Sequence, residues 1–187
     1  MSLKLFRSTG YHSILEVGEA RLAPHPAWAV AGVATWVGLA DNIWLWRALA
    51  GVGASPLKAL LAGLGIFGAV GLFLSLLCWR RTFKPMAAFC LLAGALFAGG
   101  IWVQGVELQA AFGGGGLASL LPPWTSLMRW QVPTCLVVLG GVPVLVLWNG
   151  TWRRLPAAEQ LEANAWAASG YALLGVIGFF TMARLPA

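Results

Sequence analysis

Five apolar stretches limit what this chain can fold into: Ala27 to Trp46, Leu57 to Trp79, Met86 to Val106, Val132 to Trp148 and Ala165 to Met182. Each is close to the roughly 20 residues that an α-helix needs to cross a hydrocarbon core about 30 Å thick. The alternating pattern of a membrane barrel strand is missing from all of them, so helices are predicted. Composition agrees: 59% of the 187 residues are apolar and 10% charged, too little polar surface to coat a soluble core. The expected class is all-α, a polytopic integral membrane protein built as a five-helix transmembrane bundle.

The basic residues predict its orientation. With a cytoplasmic N-terminus, Lys4, Arg7, Arg21, Arg80, Arg81, Lys84, Arg153 and Arg154 lie inside, and Arg47, Lys58, Arg129 and Arg184 outside. That bias predicts a cytoplasmic N-terminus and a periplasmic C-terminus in a bacterial inner membrane. It also accounts for most of the net charge of +6, so no nucleic-acid partner is expected. The first long apolar run is itself long enough to span, which argues against a cleaved signal peptide. Residues 1–26 form a cytoplasmic arm with scattered apolar side chains, suited to an interfacial helix that Pro24 and Pro26 end. Residues 27–187 form one transmembrane domain, without a repeat of fixed period or a second domain.

Small residues mark the expected seams between helices. The second span carries Gly63, Gly65, Gly68, Ala69 and Gly71, and the third pairs Gly94 with Ala98 and Ala95 with Gly99 at a spacing of four. Gly65, Ala69, Gly94, Ala95, Ala98 and Gly99 are the predicted packing positions. The tight turn CWRRTFKP, with Pro85 opening the next helix, predicts that the second and third spans are antiparallel neighbours. Between about residues 107 and 131, Gly113 to Gly116 break the helix and Trp124 and Trp130 flank an apolar piece, predicting an outer interfacial helix. Pro143, inside the fourth span, should kink it.

Several chemistries lack their residues. Both histidines, His12 and His25, lie outside the spans, and Cys78, Cys90 and Cys135 show no metal-ligand spacing, so no metal, haem or other cofactor is expected and the cysteines read as packing residues. No nucleophile motif occurs, so no catalytic residue is named. Asp41 and Glu107 fall near the outer ends of their spans, leaving the helix centres without charge, which argues against a pump. Most tryptophans cluster near predicted interfaces and read as an aromatic belt. The residues best placed to touch a lipid headgroup are Asn42, Arg47, Glu107 and Arg129.

The segment DNIWLWRALAG, through Asn42, Trp46 and Arg47, resembles the end of the first span in the N-terminal membrane domain of the lipid A phosphoethanolamine transferases, and the turn CWRRTFKPMAAFCLLAG is similar to that family's second loop. The resemblance covers about residues 28 to 180. It implies a lipid-donor site after the third span, in a Tyr-Gly-Val-x-x-Asp pattern. Here Gly105 and Val106 are kept, while Gln104 and Gln109 stand at the tyrosine and aspartate places. The zinc-dependent, sulfatase-like catalytic domain that the resemblance implies after the fifth span has no counterpart before Ala187. The expected function is therefore a non-catalytic inner-membrane accessory subunit that packs against a larger membrane protein complex and binds phospholipid. One alternative is the membrane part of a phosphoethanolamine transfer system with a separate or truncated catalytic domain. The other is a lipid or quinone binding protein or assembly factor that uses an outer cavity near Asn42, Glu107 and Arg129.

Overall fold

The computed structural model describes residues 25–52, 55–79, 82–112, 117–150 and 156–185. The predicted interfacial arm, His12 and the run Gly113 to Gly116 lie outside these residues. The described chain is helical, without a strand. Four helical stretches are long and apolar enough to cross a membrane, Pro56–Leu76, Phe83–Gln104, Gln131–Asn149 and Ala157–Arg184, the pattern of a multi-pass membrane protein.

The first apolar stretch departs from the single span expected of it. His25 accepts the Ala27 N–H through its ring Nδ1 at 3.1 Å, and Pro26 opens helix α1, Pro26–Thr35. A wide π turn, Trp36–Ala40, follows, and the helix stops at Asp41. Asn42 then caps a second helix, α2 (Ile43–Leu49), by accepting the Leu45 N–H at 3.1 Å. At 1.5 Å per residue the helical part before Asp41 is about 22 Å long, short of a hydrocarbon core. An Asp-Asn pair, whose short polar side chains compete for backbone groups, is a natural place for the break.

Helix α3, Pro56–Leu76, is capped by Ser55 and followed by α4, Phe83–Gln104, which ends on Gly105 in the left-handed region at φ 67°. Among the described residues, the connection to the fourth stretch holds a short helix, α5 (Leu108–Phe112), and two 3-10 turns, Leu117–Leu120 and Trp124–Ser126. This connection folds back over the end of α4 instead of forming one interfacial helix: Gln104 donates to the Leu121 carbonyl at 2.7 Å, and a methyl on Gly100 would meet the Leu120 carbonyl. The fourth stretch is α6 (Gln131–Cys135), a π turn (Leu136–Gly141) and α7 (Val142–Asn149). The wide turn lies immediately before Pro143, whose missing N–H and bulky ring disturb the preceding turn, so the expected irregularity takes this form. Helix α8, Ala157–Arg184, closes the chain.

Helix α3 packs along α8, with Gly65 against Gly178, Gly68 against Gly175 and Gly71 against the Tyr171 ring. This antiparallel register brings the backbones close enough that a side chain at Gly68 would strike the Gly175 backbone. Helix α4 packs instead on the fourth stretch, with Gly99 against Val132 and Gly140 against Ala95. The second and third spans, expected to be close neighbours, are spread apart although their connection is short. The glycine face of α3 is already occupied by α8, and phenylalanines stand where α4 would approach. Helix α1 bridges the two pairs, so that the fold has two cores. One gathers Val30, Val33, Leu74, Phe83 and Leu91 at the end marked by Lys84, and the other gathers Trp44, Leu45, Ala62, Ile101 and Leu120 at the opposite end.

Side-chain hydrogen bonds clamp both ends. Lys84 donates to the carbonyls of Trp148 (2.9 Å) and Gly150 (3.1 Å), covering the C-terminus of α7. Asn164 donates to the Cys78 carbonyl at 3.1 Å and accepts from Gln160 at 2.7 Å, tying α8 to the end of α3. At the Trp44 end, the indole N–H of Trp44 reaches the Val106 carbonyl at 2.8 Å.

Candidate functional site

The gap between α3 and α4 is a cavity of about 740 Å³, within the size range of small-molecule sites. Its long walls are Ile66, Ala69, Val70 and Phe73 on α3 and Phe89, Ala93, Gly94 and Phe97 on α4. Phe89 and Ile101 both line it, so it runs for about 18 Å along α4. Its roof is the connection after α4, through Ala111, Phe112 and Leu120, joined by Trp44 and Phe179. Ring contacts hold this roof together, Phe112 lying 5.9 Å from Trp44 and 5.6 Å from Phe179 between centroids.

Against these apolar walls stand two polar side chains at the break in the first stretch, Asp41 and Asn42. Asn42 is 2% exposed and fully engaged: its amide donates to the Ala59 carbonyl at 2.8 Å while its oxygen caps α2. It also presses on Gly63, where a built Cβ would lie 2.8 Å from the amide nitrogen and 2.5 Å from the Gly38 carbonyl oxygen. Asn42 is a latch between the broken helix and α3.

Asp41, likewise buried on the same wall, differs in its partners. It is 6% exposed, and neither carboxylate oxygen has a hydrogen-bond partner among the described residues. Its carboxylate lies over Gly94, where a methyl would meet Oδ2. Gly94 is midway along the 22-residue α4, so the acid stands at the centre of that helix. The expectation that Asp41 sits near an outer rim and that the helix centres carry no charge is therefore corrected. The helix before it is too short to carry it to the rim. Ser75 and Gln131 also hold an unpartnered buried oxygen, but neither lines the cavity.

The other residues picked from the sequence fall elsewhere. Arg47 is half-buried, with its guanidinium against Gly105, while Glu107 and Arg129 are exposed and no salt bridge joins them. The four headgroup candidates thus do not gather into one site, and Asn42 alone lines the cavity. The packing candidates occupy three places. Gly65 is under Phe179, and Ala95 and Gly99 are buried on α4, whereas Ala69, Gly94 and the buried Ala98 line the cavity wall. No group of three or more metal-ligating side chains occurs among the described residues. The sequence pointed to a cavity near Asn42 but placed it at the outer end with Glu107 and Arg129, and missed both its position between α3 and α4 and its acid, Asp41. The available signal was the polar pair Asp41-Asn42 only 15 residues after Pro26, a helix too short to span.

Comparison with protein-family models, with curated proteins and with solved structures finds no match for this chain.

Proposed function

We propose that this protein is a membrane-embedded binding protein that holds a lipophilic molecule between α3 and α4, beneath the segment that follows α4. The observation that carries this reading is the 740 Å³ apolar cavity with a single unpartnered acid on its wall. Helices in a bilayer ordinarily close such gaps by packing small residues together, as α3 does with α8. A gap bordered by a discontinuous helix is the arrangement that membrane proteins use where a ligand enters the hydrocarbon layer, because broken backbone is tolerated there only beside protein or a cavity. In a bacterial inner membrane with a cytoplasmic N-terminus, the roof would face the periplasm.

Native mass spectrometry of the full-length protein released from detergent tests the reading. A bound lipophile is expected on the natural chain and not on Ala69→Trp or Ala93→Trp, which fill the cavity from opposite walls. Equal retention of that lipophile by both variants, with both folded, would remove the proposal.

A second reading is the accessory subunit in a larger membrane complex. It is supported by α8, on which Trp166, Leu173, Val176 and Phe180 point outward and Gly170 has open space above it, leaving room for a partner helix. Purification in mild detergent with identification of the co-purifying membrane proteins tests it. The membrane part of a phosphoethanolamine transfer system is a separate alternative that rests on the short segments around Asn42 and Lys84.

A further inference from the structure

We infer that the cavity takes a lipophilic organic cation, with its positive charge against the Asp41 carboxylate and its apolar body among the phenylalanines. This rests on the cavity being a ligand site and adds the chemical class of the ligand.

Asp41 is more than nine-tenths buried, and neither of its oxygens meets a hydrogen-bond donor or a cation among the described residues. Its polar neighbour Asn42 has already committed its amide to the Ala59 carbonyl and its oxygen to the Leu45 N–H. A carboxylate in apolar surroundings is costly until something neutralises it. The position faces the cavity, so the neutralising group can arrive with the ligand.

The rest of the lining decides which charged ligand fits. A bare metal ion needs several oxygen ligands, and Asp41 and Asn42 are the polar side chains on the cavity wall. The volume also far exceeds one ion. Six aromatic rings surround the space: Phe73, Phe89 and Phe97 along its length, and Trp44, Phe112 and Phe179 at the roof. Ring faces carry partial negative charge and attract a cation, by about 0.5 to 2 kcal/mol each. An anion would be repelled by Asp41. A quinone could accept from Asp41 only with the acid protonated, and, being neutral, it draws no cation–π attraction from the surrounding rings. A zwitterionic phospholipid would bring its phosphate against the same acid. A cation whose charge is spread over, or embedded in, an apolar body meets all of these conditions.

The test uses the full-length protein in nanodiscs of phosphatidylcholine and two ions of nearly the same shape and opposite charge, tetraphenylphosphonium and tetraphenylborate. Saturable binding of the phosphonium, none of the borate, and a loss of phosphonium affinity of about tenfold or more in Asp41→Asn are expected. Equal binding of the two ions by the natural chain, or unchanged phosphonium binding by Asp41→Asn, would overturn the inference, and the first comparison needs no variant to fold. Saturable binding of a neutral quinone analogue without the phosphonium would overturn the inference while leaving the cavity a ligand site. Binding of no probe would remove both. Displacement of the phosphonium in discs containing phosphatidylethanolamine would assign the site to a lipid ammonium and overturn its assignment to a free cation.

Discussion

The two faces of α3 follow opposite rules. Toward α8 it presents Gly65, Gly68 and Gly71, and the two backbones meet along an antiparallel seam with no space between them. Toward α4 it presents Ile66, Val70 and Phe73, and the two helices stand apart around a cavity. In a membrane the hydrophobic effect does not distinguish a helix neighbour from a lipid tail, so contact depends on how closely the backbones can approach. The comparison shows how one helix can be fixed firmly on one side and left open on the other by residue size alone.

The largest effect is expected at the seam. Gly68→Val would drive its side chain into the Gly175 backbone and the Tyr171 carbonyl, and should destabilise the fold by about 3 kcal/mol or more in a detergent-unfolding titration. A variant that unfolds like the natural chain would mean that α8 does not rest on α3.

Next comes the latch. Asn42→Ala removes the cap of α2 and the bond to the Ala59 carbonyl, and a loss of about 2 kcal/mol is expected in the same titration. The adjoining change should act in the opposite direction. Asp41→Asn removes a charge that the fold leaves unpartnered, so stability should rise by about 1 kcal/mol or stay unchanged in ligand-free protein. A large loss there would give Asp41 a structural role and weaken the contrast between the two residues.

The smallest effect is expected on the outward face of α8. Nothing lies within 4 Å of a Cβ built at Gly170, so Gly170→Ala should be neutral or stabilise by about 0.5 to 1 kcal/mol through helix propensity. A marked loss on membrane reconstitution, absent in isolated protein, would locate a partner helix on this face.

Much of the helical layout was legible, because length and hydropathy are properties of a segment taken by itself. The apolar stretches from Leu57 onward correspond to the four long helices, and Pro143 marks the irregular turn in the fourth. The small residues of the second span were readable as a seam, but not that Gly68 meets Gly175 of the last helix, since a glycine stripe does not specify its partner. Asp41 was misplaced for a definite reason. Hydropathy runs on through Ile43 to Trp46 and hides the break, whereas the depth of the acid depends on where the helix stops. The extent of the cavity between α3 and α4 was not legible, because it arises from helices that fail to meet.

The two wide turns, one in the first stretch and one in the fourth, are linked: the indole N–H of Trp36, at the start of the first turn, donates to the Leu139 carbonyl within the second at 2.9 Å. Loosely wound turns are the most compliant parts of a helix. One indole therefore couples the segment that carries Asp41 directly to the helix that packs on α4 through Gly140. A fluorine label on the ring of Trp36 would register any strain in that coupling as a change in its resonance.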